Sequence, residues 1–597
     1  MKKILYIIAA SFVLFSCNDK LDKFPLDKLS DGDFFSTETG LQTFSNAFYT
    51  AFPGADGRSG EMLAFDNADN MFMDTQTNEV RGIRQIPSSG SGWSFTSLRN
   101  INTLLDNLSQ CPDESTRLRY EAIARFFRGY FYFYLIKRFG DVPWYDHQIA
   151  SDSEDLYKAR DSRDFVMQKV VEDLEFAVKN LSSDKSVYQI SKWTAEALLS
   201  RATLFEGTFR KYHTEYSFGT EAKSAEWYLN KCAEVSYDFI NNSGYKLYNT
   251  GNPKSDYLNL FAAGKYGSHA ANCEVVLARN YNATYGVKHC INNITLVSSM
   301  GRPGLTRKQV CSYLMADGSR FTDKKGWETM TFFEETQNRD PRLAQSIRTP
   351  GYKRIGGTTM EAPTLKSTIS GYQPIKYVSE PGENNIYDTY GESDCDVILF
   401  RAGEVYLNYA EAKAELGTIN ETDLAISVNK TRSRAGMPAL SLSVTEDPFL
   451  TDPNWGGYQN VTGAFKALIL EIRRERSVEL GGEGFRYNDL MRWKEGKILE
   501  YPQYGMYFPG PGAYDLDGNG SIDVYLYESG KKDDKISASF EAELGKDITL
   551  SEGTSGMINP YKNSPGNWND DKDYLYPIPY GEIQLNPNLV QNPGWVL

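Results

Sequence analysis

Between Leu98 and Leu108, apolar side chains recur at Leu98, Ile101, Leu104, Leu105 and Leu108, the three-and-four spacing that lines one face of an α-helix. A longer amphipathic run extends from Ser115 to Gly140 and is followed by Val142-Pro143. Glycine accepts the left-handed backbone that closes a helix and proline cannot extend one, so a stop is predicted there. Ser162 is placed to cap a third stretch, to Leu181, that carries Phe165, Val166, Val170, Leu174 and Val178. Ser191 to Gly207, Ala222 to Ile240, Arg401 to Leu416, Asn420 to Gly436 and Gly463 to Gly481 give the same signal.

The pattern changes between these blocks. From Gly244 to about Asp396, Gly, Asn, Tyr and Pro are frequent and apolar runs are short, which predicts loops with a few strands and small helices. After Trp493 the chain becomes loop-rich again, and the stretch from Tyr501 to Gly512 is nearly all Tyr, Phe, Pro and Gly. Helices joined by short polar turns resemble tetratricopeptide-like helix pairs, although no strict repeat period is visible. The expected fold is therefore mainly α: a tetratricopeptide-like helical scaffold with long loop-rich insertions and a few short strands. Loops of that length inside a compact protein usually carry function.

The first residues read as an export signal. Lys2 and Lys3 precede an uncharged apolar core from Ile4 to Phe15, shorter than the roughly 20 residues a membrane helix needs. The core ends in Leu14-Phe15-Ser16-Cys17, with polar Asn18-Asp19-Lys20 next, the arrangement of a bacterial lipoprotein cleavage box. Its cysteine thiol accepts the lipid, and several acyl chains together hold a protein on a membrane. The expected organisation is a signal peptide over 1–16, a lipidated tether from Cys17 over 17–37, an N-terminal helical half over 38–250 and a C-terminal half with insertions over 251–597.

Composition narrows the function. A formal charge of −14 and the lack of any dense Lys/Arg run argue against nucleic acid. Aromatic residues make up 13% of the chain, with 39 Tyr and 9 Trp, and enough lie in Gly/Asn/Asp-rich segments to suggest exposed stacking surfaces. Besides Cys17 there are six cysteines and only four histidines, with no CxxC pair, so a zinc site is not expected.

Several segments together resemble the SusD/RagB family of outer-membrane nutrient-binding lipoproteins. They are Arg125 to Pro143 with its Gly140-Asp141-Val142-Pro143 exit, Ile190 to Ala202, Asp317-Gly318, and Arg339 to Leu343. Further on come Phe400 to Ala412 with Tyr409-Ala410-Glu411-Ala412, Val428 to Gly436, Glu475 to Trp493, and the end from Tyr576-Pro577-Ile578-Pro579 to Trp595. They occur in family order from the lipoprotein box to the C-terminus. The resemblance implies a cell-surface protein that binds oligosaccharide and hands it to a SusC-like TonB-dependent transporter, without catalysis and with no required cofactor. Read from the residues alone, the charged stretch of Glu471, Arg473, Arg474, Glu475, Glu479, Glu483, Arg486 and Asp489 is structural, its charges pairing with each other and with helix ends.

Sugar recognition needs an aromatic ring for the C–H face of the sugar and polar side chains for its hydroxyls. Trp93, in the flexible lead-in Ser88 to Trp93, is a candidate together with Asn100; Trp327, Tyr281 and Tyr285 are others, and Arg81 and Asp74 are possible hydrogen-bonding partners. Asp515, Asp517, Asn519, Ser521 and Asp523 place oxygen ligands at positions 1, 3, 5, 7 and 9 of a loop with Gly520 at position 6. This resembles an EF-hand calcium loop, except that position 12 is Leu526 where a bidentate Glu belongs. A structural calcium ion is one expectation and a metal-free turn the other. No HExxH, GxSxG or P-loop motif is present. A glycosidase carboxylate pair, or a structural lid of the transporter with little affinity of its own, are the alternative readings.

Overall fold

The computed structural model describes residues 34–55, 66–219, 222–262 and 264–596. The leader, Cys17 and most of the expected tether lie outside them. The described chain is mainly helical, with 42% helix against 8% strand, as the periodicity predicts.

The scaffold helices are α1 (Glu38–Asn46), α2 (Thr96–Asn107), α3 (Glu114–Phe139), α4 (Arg163–Asn180), α5 (Lys192–Tyr212) and α6 (Ala225–Asn242) from the first half. The second half contributes α7 (Ala402–Glu415), α8 (Val428–Arg434), α9 (Lys466–Leu480) and α10 (Arg486–Arg492). Their starts are chemically marked: Asp113 accepts the Thr116 amide at 2.7 Å and Ser162 the Phe165 amide at 3.2 Å, each satisfying an otherwise orphaned donor. At the far end of α3, Gly140 takes φ +70° with Leu575 against it, so that an added Cβ would lie 3.2 Å from that side chain. One predicted helix, Asn420 to Gly436, is two. Ser427, at φ −125° and ψ −103°, breaks it into Glu421–Ile426 and α8, a change of direction that a helical periodicity does not register.

Each helix from α2 to α6 packs on the next, and the stack continues through α7, which lies on α6 and receives α9. Residues from both halves thus share one core, in which Phe126, Phe127, Phe133, Phe205 and Phe209 are buried. Strands β1 (Val275–Arg279) and β2 (Val397–Arg401) pair antiparallel and lead β2 directly into α7. A small sheet of β3 (Gly512–Tyr514), β4 (Val524–Tyr527) and β5 (Phe540–Glu543) sits in the region that reads as loop. Strands of three or four residues are too short for alternation to stand out. No disulfide joins the six cysteines among the described residues, and five of them are buried.

The dense charged stretch is structural, but its partners are mostly distant in sequence. Arg401 donates to Glu274 at 2.9 Å, Glu479 at 2.7 Å and Glu483 at 2.7 Å. Arg342 reaches Glu475 at 2.5 Å, Glu479 at 3.0 Å and Asp340 at 2.8 Å. Arg434 bridges Glu274, at 3.2 Å, and Glu479. These side chains are almost wholly buried, and they bolt β2, α8 and α9 to the middle segment that holds Arg342.

Candidate functional site

The aromatic candidates separate by exposure. Trp93 is 6% exposed, its ring edge-to-face against Phe95 at 5.7 Å and Phe139 at 5.0 Å. The Gly90-Ser91-Gly92 turn, all at positive φ, folds it inward as a cap on the helices, so it is not a stacking platform here. Tyr281 is 1% exposed; its hydroxyl accepts the Ala55 amide at 2.9 Å and its ring meets His289. Trp327 is 8% exposed, enclosed by Phe321, Phe449 and Trp455. Burial removes these three rings as sugar platforms: each gains more from its apolar neighbours than its loop setting suggests. Asn100 is exposed on α2 and Tyr285 is exposed in the turn after β1.

Asp74 and Arg81 both lie within electrostatic reach of Tyr561. The pKa of its hydroxyl is raised by burial and further by the Asp74 charge. The Tyr561 ring packs edge-on against Phe72, and its hydroxyl donates to the Met73 carbonyl. Arg302 stands beside Asp74. It takes φ +49° after Gly301, whose carbonyl accepts the Asp74 amide at 2.8 Å. A non-glycine residue held in the left-handed region stores strain, and such positions cluster at functional sites.

From this group the surface continues through two amides. Gln76 donates to Gln503 at 2.6 Å, and Gln503 is anchored on the Ala68 carbonyl at 2.6 Å. On either side of Gln503 are Tyr501 and Tyr504, with ring centres 5.7 Å apart, and against both lies Trp455, 6.1 Å from Tyr501 and 6.5 Å from Tyr504. All three rings are half-buried, so each keeps part of its surface for a ligand. Trp327 lies beneath Trp455, its ring centre 4.8 Å away, and its carbonyl is gripped by buried Arg307 at 3.0 Å. Gly456, at φ +62°, lets the turn approach Tyr501 so closely that an added Cβ would stand 3.1 Å from that side chain. Lys308 secures the same turn by donating to the Gly456 carbonyl and to Asp69. Burial opposes ionisation of Asp69, but Arg486 and Lys308 outweigh it and hold its carboxyl well below the usual range.

The resulting surface combines three aromatic rings, a tyrosine hydroxyl, the Gln76 amide backed by buried Gln503, two guanidiniums and a carboxylate. Trp455, Tyr501, Tyr504 and Tyr561 are not among the sequence candidates. The criterion that selects Trp93, a Trp in a Gly-rich turn, also fits Asp452-Pro453-Asn454-Trp455-Gly456. The tyrosines lie in or near stretches whose composition is conspicuous but whose exposed members only the fold selects.

In the 515–523 loop, which joins β3 to β4, ligand atoms of Asp515, Asp517 and Asp523 lie within 4.8 Å of one another. Asn519 accepts the Ser521 amide through its side-chain oxygen at 2.7 Å. Asp523 is raised by burial and by the neighbouring Asp517 and Asp515 charges. Leu526, at the twelfth position, is buried on β4 and offers no ligand.

Comparison with known proteins agrees with this architecture. Residues 259–595 match the profile of the SusD family, and residues 21–204 match a profile described as starch-binding and associating with the outer membrane. A SusD-like protein of Bacteroides ovatus is 24% identical, over 97% of this chain and 98% of its own length. The starch-binding protein SusD of Bacteroides thetaiotaomicron is 23% identical, over 81% of this chain and 90% of its own length. The crystal structure of a SusD-like carbohydrate binding protein from Bacteroides fragilis superposes with a TM-score of 0.68 at 18% identity, covering 93% of this chain and all of that one. The SusD family profile spans more than half of the chain, and the chain belongs to the SusD family.

Proposed function

We propose that this protein is a cell-surface lipoprotein, anchored to the outer membrane through Cys17, that captures an oligosaccharide and delivers it to a SusC-like TonB-dependent transporter. The observation that carries the binding reading is the run of partly exposed rings Trp455, Tyr501 and Tyr504 beside Gln76, Asp74, Arg81, Arg302 and Tyr561. Rings take the apolar face of a sugar, and amides, guanidiniums and carboxylates take its hydroxyls. Family membership and the starch-binding relative support glycan as the ligand class. Recognition needs no proton transfer. Asp69, the buried carboxylate behind the Trp455 turn, is locked as an anion between Arg486 and Lys308 and so serves the scaffold. The purified protein is expected to bind glycans on an array or in affinity gels without releasing reducing sugar. Turnover abolished by a carboxylate substitution would replace this reading with hydrolysis, and binding to no glycan would favour a structural lid.

We also propose that Asp515, Asp517 and Asp523, with Asn519 and Ser521, hold a structural calcium ion. Hard oxygen donors suit calcium, which takes 6–8 of them, so water would complete the shell that Leu526 leaves open. The ion would neutralise three carboxylates crowded on one turn. Because the Asp523 pKa is raised by folding, its charge works against the metal-free fold, whose stability falls as pH rises through that titration. Calcium at about 100 times its Kd would add about 2.7 kcal/mol, a shift of a few degrees in melting temperature that chelator should reverse. An unchanged melt excludes the ion.

A further inference from the structure

One groove shares no lining residue with the Trp455 surface. It encloses 680 Å³ between α1, the first turns of α3, the 181–190 segment and the end of β1, within the range of about 300–1,000 Å³ typical of small-molecule sites. Its rings are Tyr49, Phe52, Tyr120 and Tyr188. Tyr49 and Tyr188 are half-buried and held firmly. The Tyr49 hydroxyl accepts the Ile190 amide at 3.0 Å, and the Tyr188 hydroxyl donates to Asp396 at 2.6 Å. Fixed rings lose little freedom when a ligand stacks on them.

Four exposed amides, Gln42, Asn46, Gln189 and Asn280, surround these rings. The groove's charges balance, two carboxylates against two guanidiniums. All four are engaged: Arg119 pairs with Glu38, Arg279 donates to the Phe52 carbonyl at 2.8 Å, and Asp184 accepts the Ser182 hydroxyl at 3.0 Å. With the charged groups matched and amides presented on tyrosine walls, the lining suits a neutral polyhydroxylated ligand and offers no excess charge to an ionic one.

We propose that this groove is a second oligosaccharide-binding site, for a neutral glycan segment, distinct from the Trp455 surface. Two such sites on one chain would let a long polysaccharide be held at two points, raising avidity without new contacts at either.

The test uses the full-length protein in detergent, with maltoheptaose, cellohexaose and xylohexaose as probes, titrated calorimetrically and soaked into crystals. The variants are Gln189→Ala/Asn280→Ala, both at exposed positions, and Trp455→Ala, each checked by thermal melt. Expected are density for one of these probes in the groove and a loss of about tenfold in one of two binding steps for the groove variant, the other step being lost in Trp455→Ala. Failure at the Trp455 surface with the groove step intact would overturn the proposed primary site and leave this one standing. Binding isotherms unchanged by the groove variant, or no probe density there, would overturn the second site.

Discussion

Glu479→Ala should destabilise the fold by about 3–5 kcal/mol, the cost typical of stripping one partner from a buried ionic cluster. Glu479 is fully buried on α9 and faces three arginines: Arg401 at 2.7 Å, Arg342 at 3.0 Å, and Arg434. Burial pushes its carboxyl up, but the three guanidiniums outweigh that and hold it well below the carboxylate range. Alanine would leave those cations short of a counter-charge in a site that water does not reach, besides opening a cavity. The sign of the pH dependence follows. A depressed carboxyl pKa stabilises the fold above the unfolded value near 4.5, and that contribution is lost only as pH falls through the folded value. The gap between wild type and variant should therefore persist at pH 4 and close only in strong acid. Urea unfolding at pH 7 and pH 4 measures both, and a change below about 1 kcal/mol would mean that the cluster does not hold the halves together.

Trp455→Ala should weaken glycan binding by about 1–3 kcal/mol, roughly tenfold to a hundredfold, while leaving the protein folded. The ring is half-buried and touches both Tyr501 and Tyr504, so removing it takes away stacking area and the support that orients two further rings. Trp93→Ala is the contrasting variant. With 6% of the residue exposed and its ring against Phe95 and Phe139, its loss should lower stability by about 3–5 kcal/mol and leave affinity unchanged. Titration calorimetry and thermal melts on the two variants separate the roles. Equal affinities for wild type and Trp455→Ala would remove this surface as the binding site.

What could be read from the residues alone was local. The spacing of apolar side chains places α2 to α7 and α9 because a helix must bury one face, and Ser162 and Gly140 mark ends through backbone groups that a helix leaves unpaired. The resemblance to the SusD family also rests on contiguous residues, and the comparisons bear it out. Tertiary structure decided the rest. Helical periodicity predicts Asn420 to Gly436 as one helix, but the chain turns at Ser427, and the pairing of β4 with β5 joins short segments that carry no alternating signal. The charges on α9 are visible as a motif, yet Arg342 and Arg401, which pair with its Glu475 and Glu479, lie more than fifty residues away in the chain.

The site shows the same division most clearly. Residue type identifies Trp93, Trp327 and Tyr281 as rings suited to sugar, but whether a ring meets ligand or core depends on what folds over it. Neighbours remote in sequence cover those three and leave Trp455, Tyr501 and Tyr504 partly open. Asp74 and Arg81 from one segment and Arg302 from another all act electrostatically on Tyr561 from a third. The sequence by itself determined the helical scaffold and the chemical repertoire, because both follow from local backbone and side-chain physics. Only the tertiary structure decided which rings remain exposed, because exposure is a property of packing among distant segments.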